Sequence, residues 1–541
     1  MGSLSIRVVV RRTRERKTMT HQKSEDRNKP QSRRKTALTQ SDEPPGGGKA
    51  VPVVKQAKQL VLPFGPAGSP ESKDNGAAKK AIRRHKRPAV IAVPQPEVRI
   101  RSVKLASIES VALFLDYAFE NVAANKGAPG PDGQTIAHVR EHLGEVLGRL
   151  RRSLLDGTYQ PGDIRRVWIP KSGGGQRGLG IPNVVDRVVQ EAVRMVLEPL
   201  YEPFFHVQSH GFRPERGCHT AIAQAQEFLR EGFEWVADLD LEQFFDRVNH
   251  QRLLARLSQQ VGDRRLLGLI SGMLTTGVIM PDGVRVSTDE GLPQGGPLSP
   301  LLSNIVLDEL DTELARRGHR FVRYADDCNI YVRSERAGQR VMASITRFIE
   351  KRLRLKVNAK KSAVARPGTR HFLGFRLRPK GQGEPIEILL SDRSKTRLEE
   401  RVRELTPRNW GGSVADVVDQ VNAYTRGWLC HFGICTQGNR GILHETDSHI
   451  RRRLRALQLK HWKRKRTIKR RLIRLGARKG AHTAVYGDRR SWWALSNHVV
   501  VRRTLSNAYW ESKGFQPVVR QWESKSRHLD VSVQQRLPLR W

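Results

Sequence analysis

The stretch Phe321-Val-Arg-Tyr-Ala-Asp-Asp-Cys-Asn-Ile-Tyr-Val332 sets two adjacent acids inside an otherwise apolar run. Phe321, Arg323 and Ala325 alternate with Val322 and Tyr324 as on a strand, and Ile330 and Val332 resume the alternation beyond the acids. The pattern predicts a β-hairpin with Asp326 and Asp327 at or beside its bend. A solvent-exposed turn would use aspartate merely as a turn former. Here both flanks read as buried and no glycine supports the turn. Neighbouring carboxylates raise each other's proton affinity unless a cation compensates. Mg2+ suits that task, because it takes hard oxygen ligands and keeps positions for substrate phosphates.

A metal site for phosphoryl chemistry needs further carboxylate, and VADLDLEQFFDRVNH, residues 236–250, supplies it. Asp238 and Asp240 alternate with apolar residues on a strand, so both point to one sheet face. Phe244, Phe245 and Asp246 stand where the strand gives way to a helix. Two strands ending in acids can cage two metal ions about 3.5–4 Å apart, which stabilises both the attacking and the leaving oxygen.

The remainder of the chain agrees with a polyanionic partner. Its 541 residues imply several domains, and 97 Lys and Arg against 54 Asp and Glu leave a formal charge of +43. Such a charge repels itself unless neutralised, which makes nucleic acid the default partner. A membrane surface is the weaker alternative, and no apolar run is long enough to span a bilayer. Cys218, Cys328, Cys430 and Cys435 form neither a disulfide framework nor paired zinc knuckles, and a reducing cytoplasm fits them. No secretory or transit signal is expected at the N-terminus.

Residues 1–100 read as a basic extension in which RRTRERK and KKAIRRHKR interleave with Pro, Gly and Ser without period. In SIESVALFLDYAFENVAAN the residues Val111, Leu113, Phe114, Ala118 and Val122 carry helical spacing, and a turn-rich loop from Asn125 to Gly133 follows. Strand-like and helical segments then alternate to about residue 390, an α+β pattern. Beyond it the chain becomes helical, with one apolar stripe at Leu398, Val402 and Leu405 and another at Val414, Val417, Val418 and Val421. Arg451 to Lys479 is roughly half Lys and Arg and holds no acid, while Leu454, Leu457, Trp462, Ile468, Leu472 and Leu475 allow a core-facing side. That one-sided charge predicts nucleic-acid contact.

YADD, DLDLEQFFD, the block Gly291-Leu-Pro-Gln-Gly-Gly-Pro-Leu-Ser-Pro-Leu-Leu-Ser-Asn304 and IPKSGGGQRGLGIPNVVDRVVQ together resemble the reverse transcriptase of bacterial group II introns. The similarity spans about residues 105–541 and is nearest to the short maturase type without an endonuclease. It implies a right-hand polymerase fold of class α+β. Fingers and palm (antiparallel sheet plus helices) would occupy 101–390, a helical thumb 391–480 and a small helical DNA-binding region 481–541.

The resemblance also assigns residues. Asp240, Asp326 and Asp327 match the catalytic acids that hold two Mg2+ ions (Mn2+ as substitute), with the carbonyl of Leu241 near the metal; Asp238 has no such match. Phe245 takes the steric-gate position against a 2′-OH. Lys171 and Arg177, with Arg165 as a third, match finger residues that hold the incoming triphosphate, as a Gly-rich turn bearing a guanidinium fork can. Pro293 and Gln294 match the block lining the nucleotide and template. Lys361 takes the position of the acid that protonates pyrophosphate, with Lys360 as competitor. Asn125 and Lys126 fall in the template loop, and Arg451, Arg452, Arg453, Lys460, Lys463, Arg464, Lys465 and Arg466 in the thumb's nucleic-acid face. Tyr324 is read as a support.

The implied function is RNA-templated DNA synthesis from dNTPs on a DNA primer, joined to binding of intron RNA for splicing and of target DNA for retrohoming. Two alternatives stay open: a non-catalytic RNA-folding maturase, and a reverse transcriptase recruited to spacer acquisition or phage defence. The basic extension is not part of the family core, and CHFGIC at Cys430–Cys435 departs from the family's aromatic-rich sequence. No His-Asn-His pattern with CxxC pairs follows, so DNA cleavage is not expected.

Overall fold

The computed structural model describes residues 106–170, 174–381, 384–407, 411–477, 479–487 and 491–525, which fall within one compact unit. The extension at 1–100 and Lys171 lie outside the described residues. Ten strands are described: β1 (Ile164–Pro170), β2 (Gln176–Ile181), β3 (Trp235–Leu239), β4 (Val278–Ile279), β5 (Arg285–Val286), β6 (Arg320–Tyr324), β7 (Asp327–Val332), β8 (Ala363–Ala365), β9 (Phe375–Arg378) and β10 (Glu387–Leu390). They form sheets of order β2-β1-β4-β5, β6-β7-β3-β8 and β10-β9. All neighbours in the second sheet are antiparallel. The first sheet departs from a purely antiparallel expectation, because β1 and the short β4 pair in parallel.

Period-two geometry gives the central sheet two buried faces. Ala237, Leu239, Phe321, Cys328 and Ile330 enter a core shared with the helix Val184–Tyr201. Val236, Val322 and Tyr331 enter a second core on the opposite face. That second core runs without a break through the helices Asp392–Leu405, Val414–Phe432 and Arg440–Trp462 to Trp510 and Trp522. The regions expected at 391–480 and 481–541 thus share packing with the underside of the sheet.

The helix expected after Ser107 is present but breaks at Phe114 into Ile108–Leu113 and Leu115–Ala124. Phe114 has ψ 0°, which rotates the following turn out of phase. Leu115 and Phe119 therefore take core positions, and Leu113, expected on the apolar face, is 72% exposed. Leu475 is likewise exposed, because the helix Lys465–Arg474 has ended before it. The other apolar positions of that basic segment, Leu454, Leu457, Trp462, Ile468 and Leu472, are buried as expected. Leu398, Val402, Val417, Val418 and Val421 are buried too, with Leu405 and Val414 packed at the margin. No helix among the described residues is long and apolar enough to cross a membrane.

Asp447, 1% exposed, anchors the C-terminal helical segment to this core. Its two carboxylate oxygens accept from the amides of Val518 and Val519 at 2.8 and 3.1 Å, capping that segment where its N–H groups lack helical partners. Asp447→Ala leaves both amides buried and unpaired, and should cost about 2 kcal/mol in a urea or thermal unfolding experiment. An unchanged midpoint would contradict the anchoring role.

Candidate active site

The register of the central sheet builds the site. Asp238 pairs with Asn329 and Leu239 with Cys328 across β3 and β7, so the next step along both chains sets Asp240 opposite Asp327. β6 and β7 close with Tyr324 against Asp327, leaving Ala325 and Asp326 as a two-residue turn. Ala325 has φ +56°, a left-handed conformation that costs an L-residue about 1–2 kcal/mol. The chain end of β3 is held as well: the Asp240 amide donates to Ser362 Oγ at 3.0 Å, and its carbonyl accepts from Asn358 N at 2.8 Å. Leu241, buried, extends the pairing as a bridge to Val357.

These carboxylates crowd one another. Burial pushes Asp327 up to about 7, and Asp326, Asp238 and Asp240 drive it the same way, against a smaller pull from Lys361. Burial also raises Asp326, with Asp240 adding to the rise while Arg177 and Lys361 oppose it. Asp238 has a cation of its own: Arg370 Nε and Nη2 reach its Oδ2 at 2.8 and 2.6 Å. Asp240 does not. Lys361 Nζ stands 3.4 Å from Asp240 Oδ2, a charge contact without hydrogen-bond geometry, and that buried oxygen has no hydrogen-bond partner. For Lys360 the bond in place is through its amide, to Asn358 Oδ1 at 3.2 Å, so the lysine directed at the acids is Lys361.

The fit of a cation follows from this donor set. An orphaned buried carboxylate oxygen and a carboxyl driven to high proton affinity by burial and then by neighbouring like charges both suit a hard, oxygen-preferring ion. Asp240, Asp326 and Asp327 do not each bring an oxygen within 4.8 Å of the other two. Among the described residues only His138, Glu141 and His142, all exposed, form such a close triple of possible ligands.

The expected nucleotide-binding residues surround this face in part. The Leu292 amide donates to Phe245 O at 2.5 Å, and the Gly180 amide of β2 donates to Gln294 O at 2.7 Å. Ser299 Oγ donates to Pro293 O at 2.7 Å. Leu292 and Gln294 therefore bridge the Phe245 turn and the β1–β2 hairpin, with Pro293 between them held by Ser299. The Phe245 ring meets Phe244 edge-on at 5.2 Å. Arg177 is exposed on β2 opposite Ile169. Arg165 is turned elsewhere: its Nη2 donates to Pro129 O at 2.6 Å, and Arg187 Nη2 donates to Ala128 O at 2.6 Å. Both arginines pin the 125–133 loop, where Asn125 and Lys126 are exposed.

The basic residues beyond 450 divide by task. Arg452 lies 3.9 Å over the Trp493 ring. Arg453 Nη2 donates to Thr406 O at 2.6 Å and Arg403 O at 3.0 Å, and Arg451 Nη2 donates to Ser448 Oγ at 3.2 Å. Lys460 is half-buried on the same helix. Lys463, Arg464, Lys465 and Arg466, at the break between two helices, are exposed. Sequence reasoning missed Arg370, Ser362 and Asn358, which hold the acids; Asn358 and Ser362 flank the Lys360–Lys361 pair that was singled out, and Arg370 had no such signal.

Residues 169–377 match the family of the reverse transcriptase (RNA-dependent DNA polymerase), and residues 395–475 match the group II intron maturase-specific domain. The chain is 40% identical over 235 residues to Protein YkfC of Escherichia coli, covering 42% of this chain and 61% of that protein. It is 38% identical over 209 residues to the group II intron-encoded protein LtrA of Lactococcus lactis, covering 38% of this chain and 34% of LtrA. The matches thus span less than two thirds of these curated relatives. A partial Cas6-RT-Cas1–Cas2 complex aligns with 44% of this chain and 42% of its own, at 24% identity and a TM-score of 0.29, too low to bear on the argument.

Gly291 is the residue through which the 291–294 block approaches Phe245. It has φ +98°, and a Cβ there would stand 2.9 Å from Phe245 O. Gly291→Ala should lower stability by about 2 kcal/mol or more in chemical denaturation; an unperturbed midpoint would mean that the block does not seat as described.

Proposed function

We propose that this chain, which belongs to the group II intron reverse transcriptase/maturase family by its two domains, is an RNA-directed DNA polymerase that also binds intron RNA. One observation carries the reading: Asp240 and Asp327 end neighbouring strands of the central sheet, with Asp326 in the adjoining turn, inside the stretch that matches the reverse transcriptase family. A family of this kind works with divalent metal, and Mg2+ is the ion that the all-oxygen donor set favours. Held by Asp240, Asp326, Asp327 and the Leu241 carbonyl, two such ions would activate the primer 3′-OH and neutralise charge on the reacting phosphates.

The chain's own residues do the remainder. Arg177 and Lys171 hold the triphosphate from the β1–β2 hairpin, Arg177 through a guanidinium fork. Pro293 and Gln294 line the base pair, and the Phe245 ring excludes a 2′-OH. Lys361, beside Asp240, donates a proton to the departing pyrophosphate. In this reading 101–390 are fingers and palm, 391–480 the thumb and 481–541 a DNA-binding region. The exposed Lys463–Arg466 cluster lies within the maturase-specific stretch and supports contact with intron RNA. Retrohoming into target DNA is the same chemistry primed from a DNA end.

Primer extension on an RNA template tests the reading. Asp240→Ala and Asp326→Ala should each lower the rate by about a thousandfold or more, while RNA affinity stays near native; undiminished synthesis would refute the assignment. Lys361→Ala should cost about a hundredfold in kcat and Lys360→Ala little. Equal losses would remove Lys361 from the proton-transfer role. Replacing Lys463, Arg464, Lys465 and Arg466 by Ala should weaken intron RNA binding and flatten its dependence on salt by about one unit of log-log slope per lost phosphate contact. A native slope would exclude the cluster.

A further inference from the structure

The turn that carries Asp326 depends on a buried arginine two residues before it. Arg323 is 0% exposed, and each of its five N–H donors has an acceptor. Nε donates to Asp311 Oδ1 at 2.7 Å. Nη2 donates to Asp311 Oδ2 at 2.6 Å and Ser209 Oγ at 2.7 Å. Nη1 donates to Asn304 Oδ1 at 3.0 Å and to the carbonyl of Ala325 at 2.9 Å. Asp311, Asn304 and Ser209 are themselves 0% exposed. A salt bridge alone would need only the first two of these contacts. The fifth donor reaches the one residue of the hairpin that is in the left-handed region.

A second element presses on the same residue. Asn304 Nδ2 donates to Gly211 O at 2.9 Å, and a Cβ on Gly211 would lie 2.2 Å from Ala325 N. Asn304 and Asp311 stand two turns apart on the helix Ser299–Arg316, whose first residue holds Pro293 O. One rigid helix thus links the 291–294 block to the hairpin.

We propose that Arg323, oriented by Asp311 and Asn304 and backed by Gly211, is a positioning residue that fixes the Ala325–Asp326 turn and so sets Asp326 and Asp327 against Asp240. The consequence for catalysis rests on the polymerase reading; the consequence for the turn does not. Lysine cannot replace it, because an ammonium lacks the planar fork that reaches Asp311 and Ala325 together.

The experiment compares the full chain with Arg323→Lys, the double variant Arg323→Lys/Ala325→Gly, and Gly211→Ala. Each is measured for melting temperature, RNA affinity, kcat and KM for dNTP, and hydrogen exchange of the 325–327 amides. Arg323→Lys should lower kcat by about a hundredfold, with KM and RNA affinity within about twofold, as expected when reacting groups are misplaced by about an ångström. Turn amides should exchange at least about tenfold faster. Adding Ala325→Gly should recover at least about tenfold of kcat, since glycine adopts the turn without an anchor. Gly211→Ala leaves the buried ion pair intact and should give the same kcat and exchange signature, which covers the case in which Arg323→Lys fails to fold. Native kcat and native turn exchange in Gly211→Ala or in a folded Arg323→Lys would overturn the proposal, as would a kcat loss that glycine at 325 does not relieve. A native chain that makes no DNA contradicts the polymerase reading instead, and turn exchange then decides the role of Arg323.

Discussion

Carboxylates that repel one another stand together in this molecule because a sheet buried on both faces leaves them no other place. The β3–β7 register brings Asp240 level with Asp327, and the tight β6–β7 turn adds Asp326. Neither strand can slip by one residue without turning Ala237, Leu239 and Ile330 away from one core and Val236 and Tyr331 away from the other. Packing energy spread over two cores thereby maintains a local electrostatic cost. Burial first, and then the neighbouring carboxylates, push Asp327 up to about 7.

The surrounding charges are apportioned unequally. Arg370 neutralises Asp238 in a close ion pair, and Arg323 is wholly occupied by Asp311, Asn304, Ser209 and Ala325. Lys361 and Arg177 contribute charge to the acids without a hydrogen bond to them. A chain meant only to stabilise this region would have given Asp240 a partner as close as the one Asp238 has. Asp240 Oδ2 is instead buried without a hydrogen-bond partner, and the proposed cation site rests on that oxygen.

Much of this was legible in the sequence. Alternation around FVRYADDCNIYV located the hairpin, and i,i+2 spacing in VADLDL located the second pair of acids, because both depend on period two alone. What the sequence could not convey was long-range partnership. Asp238 and Asp240 look equivalent along the strand, and only the arrival of Arg370, 132 residues away, separates them. Arg165 sits in a strand beside the glycine turn and reads as a phosphate ligand, yet it holds the carbonyl of Pro129. Leu113 fits an unbroken helix, and a single residue with ψ 0° moves it to the surface. Arg452 and Arg453 read as nucleic-acid contacts, yet one stacks on the Trp493 indole and the other holds the carbonyl of Thr406, because composition does not reveal which guanidinium meets a carbonyl or an indole.

The central claim is that Asp240, Asp326 and Asp327 form a divalent cation site. Titrating Mn2+ into the full chain with primer, RNA template and dNTP, and following free Mn2+ by electron paramagnetic resonance, tests it without relying on turnover. The native chain should bind Mn2+ that the Asp240→Asn/Asp326→Asn variant does not bind, while ions taken up by the exposed His138, Glu141 and His142 cancel in the comparison. Equal uptake by both chains, at equal affinity, would contradict the account.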